Sequence, residues 1–152
     1  MPVDPDQARA LTFAPITVTV ERGRLRSFAN AIGQTDPVYV DLDAARQAGH
    51  PDLPVPPTFF FSLEMEGPDP WGYLAELGVD LRRVLHGEQS FTYHSMMHAG
   101  DTVALRTRID DVYAKRGGAL EFLVRRTDVI RDGDLVAEAT SVIVVRNPEV
   151  PR

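Results

Sequence analysis

The second half of the chain is written as long strand-like runs separated by turn signals, and no other feature restricts the fold more. "VLHGEQSFTYHSMM" (84–97) leads to a turn at "HAGD" (98–101). "TVALRTRIDDVYA" then sets Val103, Leu105, Thr107 and Ile109 on one face, at the two-residue period of a strand. "KRGG" turns the chain, "ALEFLVRRTDVI" returns, "RDGD" is a tight-hairpin signal and "LVAEATSVIVV" closes the series. In sequence order these runs predict a four-stranded antiparallel meander. Its apolar face needs a cover, which the first half must supply.

The first half reads mainly as helix and loop. Residues 1–14 carry scattered charge and two prolines and are expected to be a loose N-terminal arm. "ITVTV" (16–20) is a short edge strand. "ERGRLRSFANAIG" places Leu25, Phe28, Ala29 and Ile32 on one helical stripe, with Gly33 as a stop. Residues 34–57 are proline-rich loop around a short helix in "DLDAARQAG", capped by Asp41 or Asp43 and ended by Gly49. "PTFFFSLEME" (57–66) is apolar nearly all round, which marks a buried helix. "DPWGYLAELG" (69–78) offers Asp69 as a cap and Pro70 at the first helical position. The expectation is one α+β domain over residues 15–147, its antiparallel sheet wrapped around the buried helix, with 148–152 as a tail.

The chain has 152 residues and a formal net charge of −6, so a basic surface for nucleic acid or anionic membranes is not expected. It contains no cysteine, which excludes disulfides and thiolate chemistry and fits a cytoplasmic setting. The N-terminus lacks a basic start and a long apolar run, and no segment approaches a membrane span.

Four segments together resemble the MaoC-like hydratases and dehydratases of the hot-dog fold, in particular their N-terminal, FAS1-like dehydratase type. They are "AIGQTDPVYVD" (31–41), "AGHPDLPVPPTFFFSL", "HGEQSFTYHSMMHAGDTV" and "EATSVIVVRNP". The resemblance implies a reaction that adds water to, or removes it from, an acyl-CoA or acyl-carrier thioester, with no further cofactor. The working motif of such enzymes resembles Gly-Asp-x-Asn-Pro-x-His, in which the Asp and His act on one water. Aligned on Gly33 and Pro37, Gln34 stands in the Asp position, Asp36 in the Asn position and Tyr39 in the His position. A carboxamide does not titrate, and a phenol near its ordinary pKa of about 10 is a poor base at neutral pH. The resemblance therefore implies a non-catalytic, substrate-accommodating half, paired with a separate catalytic hot-dog subunit, or else a homodimer.

Other residues allow a rival reading, a self-sufficient homodimeric enzyme with relocated groups. Asp36 is one candidate, although an Asp before Pro commonly starts a turn. His86 and Glu88 are the others; if the strand begins at His86, alternation puts both on one face as a relay or a structural pair. Tyr39, His50, Pro56, Pro57, Thr58 and Phe59 are the expected substrate contacts, against the plainer reading of loop and core packing. His94 and His98 read as surface residues near a turn, and the four histidines have no metal-ligand spacing. Lys115 and Arg116 form a basic turn that could meet a CoA phosphate, with a solvated turn as the plainer alternative. A hot-dog thioesterase or acyl-CoA-binding protein is a third class. The acidic residues of the buried helix, Glu64 and Glu66, stand near its end rather than its start, which weighs against thioesterase chemistry.

Overall fold

The computed structural model describes residues 2–150, so Pro151 and Arg152 of the expected tail lie outside the described residues. The N-terminal arm is not loose. Pro5–Ala10 form a helix, α1, whose start is capped by the Asp4 carboxylate accepting from the Asp6 and Gln7 N–H groups. Val3 and Ala8 are buried, and the Val3 N–H donates to Glu121 Oε1 at 2.8 Å. A proline at the first helical position and an Asp cap are local start signals that outweigh the scattered charge.

β1 (Ile16–Thr19) is followed by α2 (Arg22–Ala31). Leu25 and Ala29 of the expected stripe are buried and Phe28 packs against them. Ile32, at the C-cap, is 51% exposed and is not part of the core. Gly33 leaves the helix with φ +72°, a conformation in which a Cβ is strained. A 3₁₀ turn at Pro37–Tyr39 precedes α3 (Leu42–Gln47), whose cap is Asp41, accepting from the Asp43 and Ala44 N–H groups.

The buried helix is short. Pro57–Phe59 make a 3₁₀ turn that runs into α4 (Phe60–Glu64), and Phe59, Phe60, Leu63 and Glu64 are buried. Burying each of the large apolar side chains contributes roughly 1.5–3 kcal/mol. α5 (Gly72–Glu76) begins later than expected: Asp69 accepts the Gly72 N–H through its backbone carbonyl, and no side chain caps the helix.

The sheet contains β1, β2 (Val84–Tyr93), β3 (Thr102–Lys115), β4 (Leu120–Arg131) and β5 (Asp134–Arg146), in the order β1-β3-β4-β5-β2, with every neighbouring pair antiparallel. Only β3, β4 and β5 form a meander; β2 pairs with β5. "HAGD" is therefore part of a crossover and not a hairpin turn. The backbone of that crossover is bonded elsewhere. His94 and Ser95 N–H donate to Val136 O, Ala99 N–H to Leu53 O and Gly100 N–H to Val20 O. Arg131 Nη1 reaches both Met96 O and Asp101 Oδ2, at 2.9 and 2.7 Å. "RDGD" behaves as expected: Arg131 pairs with Asp134, and Asp132 and Gly133 both have positive φ (52° and 83°), the two-residue turn that matches strand twist.

Candidate functional site

The motif loop and the start of the central helix meet the end of β2 at one cleft of about 340 Å³. Tyr39, Val55, Pro57 and Phe60 form one side, and Tyr93 to Met97 the other. The walls are held by contacts that the sequence dictates. The Tyr93 hydroxyl donates to Pro57 O at 2.7 Å, and the Phe60 and Tyr93 rings meet edge to face at 5.4 Å. Largely apolar walls with a few polar points suit a small organic ligand or part of an acyl chain.

The polar groups of the motif loop are occupied with the loop itself. Gln34 Oε1 accepts from the Asp36 N–H at 3.1 Å. Asp36 Oδ1 accepts from the Val38 N–H at 3.1 Å and so caps the 3₁₀ turn. Asp36 thus has the turn-starting geometry. Tyr39 is half-buried and lines the cleft.

Among the expected substrate contacts, Tyr39 and Pro57 line this cleft and the other four do not. Pro56 is buried, Thr58 is exposed, and Phe59 is a core side chain packed edge to face on Phe28 at 5.2 Å. His50 sits apart from the cleft, with its Nδ1 3.1 Å from His98 Nε2. That pair also corrects the reading of His98 as a surface residue. His98 is half-buried and bridged to Pro54, and burial followed by the His50 ring pushes its pKa below the usual 6.5.

His86 and Glu88 do not share a face. A β-bulge at Gly87 makes His86 pair with Ile143 and Glu88 with the adjacent Val142, so their side chains leave opposite faces. An added Cβ at Gly87 would stand 2.7 Å from Val144 Cγ2 and 3.2 Å from Val142 O, so glycine is what admits the bulge. His86 instead meets Gln89, with Nε2 3.1 Å from Oε1, and stacks on Phe61 at 5.1 Å. Gln89 Oε1 also accepts from Ser141 Oγ on the neighbouring strand.

Two groupings escaped the sequence reading. His94, at the cleft, lies 2.7 Å from Glu138 Oε2, and Glu138 is also ion-paired with Arg126. Glu64, Tyr73 and Arg125 lie buried together at the far end of α4. Both join residues distant in sequence, so no local motif signals them. Lys115 of that basic turn lies over the rings of Tyr113 and Phe122 beside the β3–β4 turn. Among the described residues, no group of three or more His, Asp or Glu side chains is placed to hold a metal, and no helix is long and apolar enough to cross a membrane.

The chain matches the family described as "FAS1-like, dehydratase domain region" over residues 8–139. It is 38% identical to a UPF0336 protein of Saccharopolyspora erythraea over 128 residues, 84% of this chain and 81% of that one. It is similar to a chain of the HadBC (3R-hydroxyacyl-ACP dehydratase) complex of Mycobacterium tuberculosis, with TM-score 0.74 and 27% identity over 88% of this chain and 93% of that chain. A MaoC-like dehydratase shares the fold at TM-score 0.80 and 19% identity, over 94% of this chain and 44% of that longer one. Motif segments, sheet order and these likenesses agree: the chain belongs to the FAS1-like dehydratase domain family, within the MaoC-like dehydratases of the hot-dog fold.

Proposed function

We propose that this chain is the substrate-holding, non-catalytic half of an (R)-specific enoyl-thioester hydratase or 3-hydroxyacyl-thioester dehydratase, and that the catalytic half is a separate hot-dog subunit. One observation carries the reading: Gln34 and Asp36 spend their side chains closing the motif loop, and Tyr39 stands at the cleft in the His position. The carboxamide of Gln34 does not titrate, a phenol at the Tyr39 position is a poor base at neutral pH, and Asp36 is engaged in starting the turn. The likeness to a chain of the HadBC complex supports a two-subunit arrangement. So does the sheet. Among the described residues β2 is an edge strand paired with β5 alone, and such an edge is normally covered.

In this reading the acyl part of a CoA or carrier-protein thioester enters between the two subunits. Tyr39, Pro57, Phe60 and Tyr93 accommodate it, and the partner's Asp and His act on the water. The test is a reconstituted pair made with a hot-dog subunit that carries the Asp–His motif. Replacing that subunit's Asp should abolish hydration, while Gln34→Ala and Tyr39→Phe in this chain should leave turnover within a few-fold. Equal loss from the changes in this chain would contradict the assignment.

The His94–Glu138 pair favours one alternative. A self-sufficient enzyme would draw its proton transfer from this cleft-side pair, in place of His86, Glu88 or Asp36. Activity of the isolated chain that disappears in His94→Gln would establish it.

A further inference from the structure

A second cavity, of about 490 Å³, opens at the opposite end of the central helix. Residues 11–16, the 67–72 loop, the start of α5 and the middle of β3 and β4 enclose it. Its lining is unusual in chemistry. Glu64, Arg125 and Tyr73 are only 2%, 4% and 6% exposed. Glu64 Oε2, Tyr73 Oη, Arg125 Nε and Arg125 Nη1 are all buried without a hydrogen-bond partner among the described residues. Buried polar atoms are nearly always paired, and an unpaired one destabilises the fold, so four around one cavity call for something that pairs with them. Packing alone does not account for them. Thr107, on the same lining, is already bonded to Thr127 at 2.9 Å, and the other buried unpaired side-chain atoms among the described residues, Gln89 Nε2, Arg126 Nε and Asp128 Oδ1, belong to residues that do not line this cavity.

The unpaired atoms define what would fit. Arg125 is stacked, 5.4 Å from the Tyr73 ring centroid and 5.9 Å from that of Trp71, and its Nε and Nη1 are the N–H groups left without a hydrogen-bond partner among the described residues. Burial pushes the Tyr73 phenol pKa up, so its hydroxyl remains a donor. Arg125 and Tyr73 thus call for an acceptor, and Glu64 Oε2 calls for a donor. Asp69 and Glu76 add negative charge at the rim, which disfavours an anionic ligand, while a cation would leave Arg125 unanswered. We propose that this cavity is a binding site for a small neutral molecule, or a neutral portion of a larger one, that carries a carbonyl oxygen and a nearby hydroxyl or amide N–H. The carbonyl accepts from Arg125 and Tyr73, and the hydroxyl or N–H donates to Glu64. The site is separate from the Tyr39–Tyr93 cleft and does not rest on the thioester reading.

The test is a titration of the full ¹⁵N-labelled chain with 3-hydroxybutyramide at millimolar concentrations, followed by NMR. Saturable shifts are expected at the amides of Gly67, Gly72 and Tyr73. Tyr73→Phe and Glu64→Gln should each weaken binding roughly tenfold, the worth of one good hydrogen bond. Butyramide, which lacks the hydroxyl, should lose a similar factor in the unaltered chain. Tyr73→Phe keeps the ring and removes an unpaired hydroxyl, so the ligand-free variant should melt no lower than the original. The proposal is overturned if no saturable shift appears at these amides, if both variants bind unchanged, or if ligand-free Tyr73→Phe melts clearly lower. The last result would mean that internal water already satisfies the hydroxyl. Silence of this chain in thioester hydration would affect none of these readouts.

Discussion

The Tyr93 hydroxyl donates a 2.7 Å hydrogen bond to the Pro57 carbonyl, tying the end of the edge strand β2 to the start of the central helix. The bond bridges the cleft wall, where no backbone ladder joins these two elements. Tyr93→Phe should cost about 0.5–1.5 kcal/mol. A urea midpoint that falls with an unchanged slope would show the loss as stability alone. The same variant should weaken thioester binding in the assembled pair.

Gly87 sets the face that His86 occupies. Gly87→Ala drives a methyl group toward Val144 Cγ2 and Val142 O and should destabilise by about 1–3 kcal/mol. Val144→Ala in that background should recover part of the loss, because it removes the nearer clash. Additive losses in the double variant would mean that the two side chains do not meet.

How much of this was legible beforehand follows from locality. Asp41 capping α3, Gly33 ending α2 and the Asp132–Gly133 turn are decided within a few residues, and each stands where its sequence signal put it. The strand runs were equally plain, but their order was not. β2 lies beside β5 because the crossover bonds to Val20, Leu53 and Val136, partners far away in sequence. The inserted position at Gly87 defeated the alternation that placed His86 with Glu88. Residues expected at the site fared unevenly for the same reason. Tyr39 and Pro57 reach the cleft, while the neighbouring Pro56 and Phe59 turn inward within one 3₁₀ turn. His94–Glu138 and Glu64–Tyr73–Arg125 required three-dimensional neighbours.

The His50–His98 pair should make stability depend on pH. The folded chain binds a proton at His98 more weakly than the unfolded chain, whose value is about 6.5. Between the folded value and 6.5 the unfolded state holds more protons, so stability rises with pH and is lost as pH falls below about 6.5. Asp101 and Asp52 oppose the shift, and Arg131 adds to it. Melting temperatures from pH 7.5 to 5 should fall in the original chain and fall less in His98→Gln.

Arg131 ties the crossover to the β4–β5 hairpin. Its Nη1 donates to Asp101 Oδ2 and to Met96 O, and the same Asp101 oxygen accepts from the His98 N–H. Arg131→Met should cost about 1–3 kcal/mol, as expected for losing hydrogen bonds to a charged group. Because Met96 lines the cleft, thioester affinity should fall with it, read as a higher KM with kcat nearly unchanged.

The most direct measurement is the steady-state hydration of a short and a long trans-2-enoyl-CoA, by the purified chain alone and by the chain co-purified with a hot-dog subunit that carries the Asp–His motif. A substrate-holding half should be silent alone and support turnover on both substrates in the pair. Hydration by the isolated chain at rates near those of the pair would contradict that role and direct attention to His94 and Glu138.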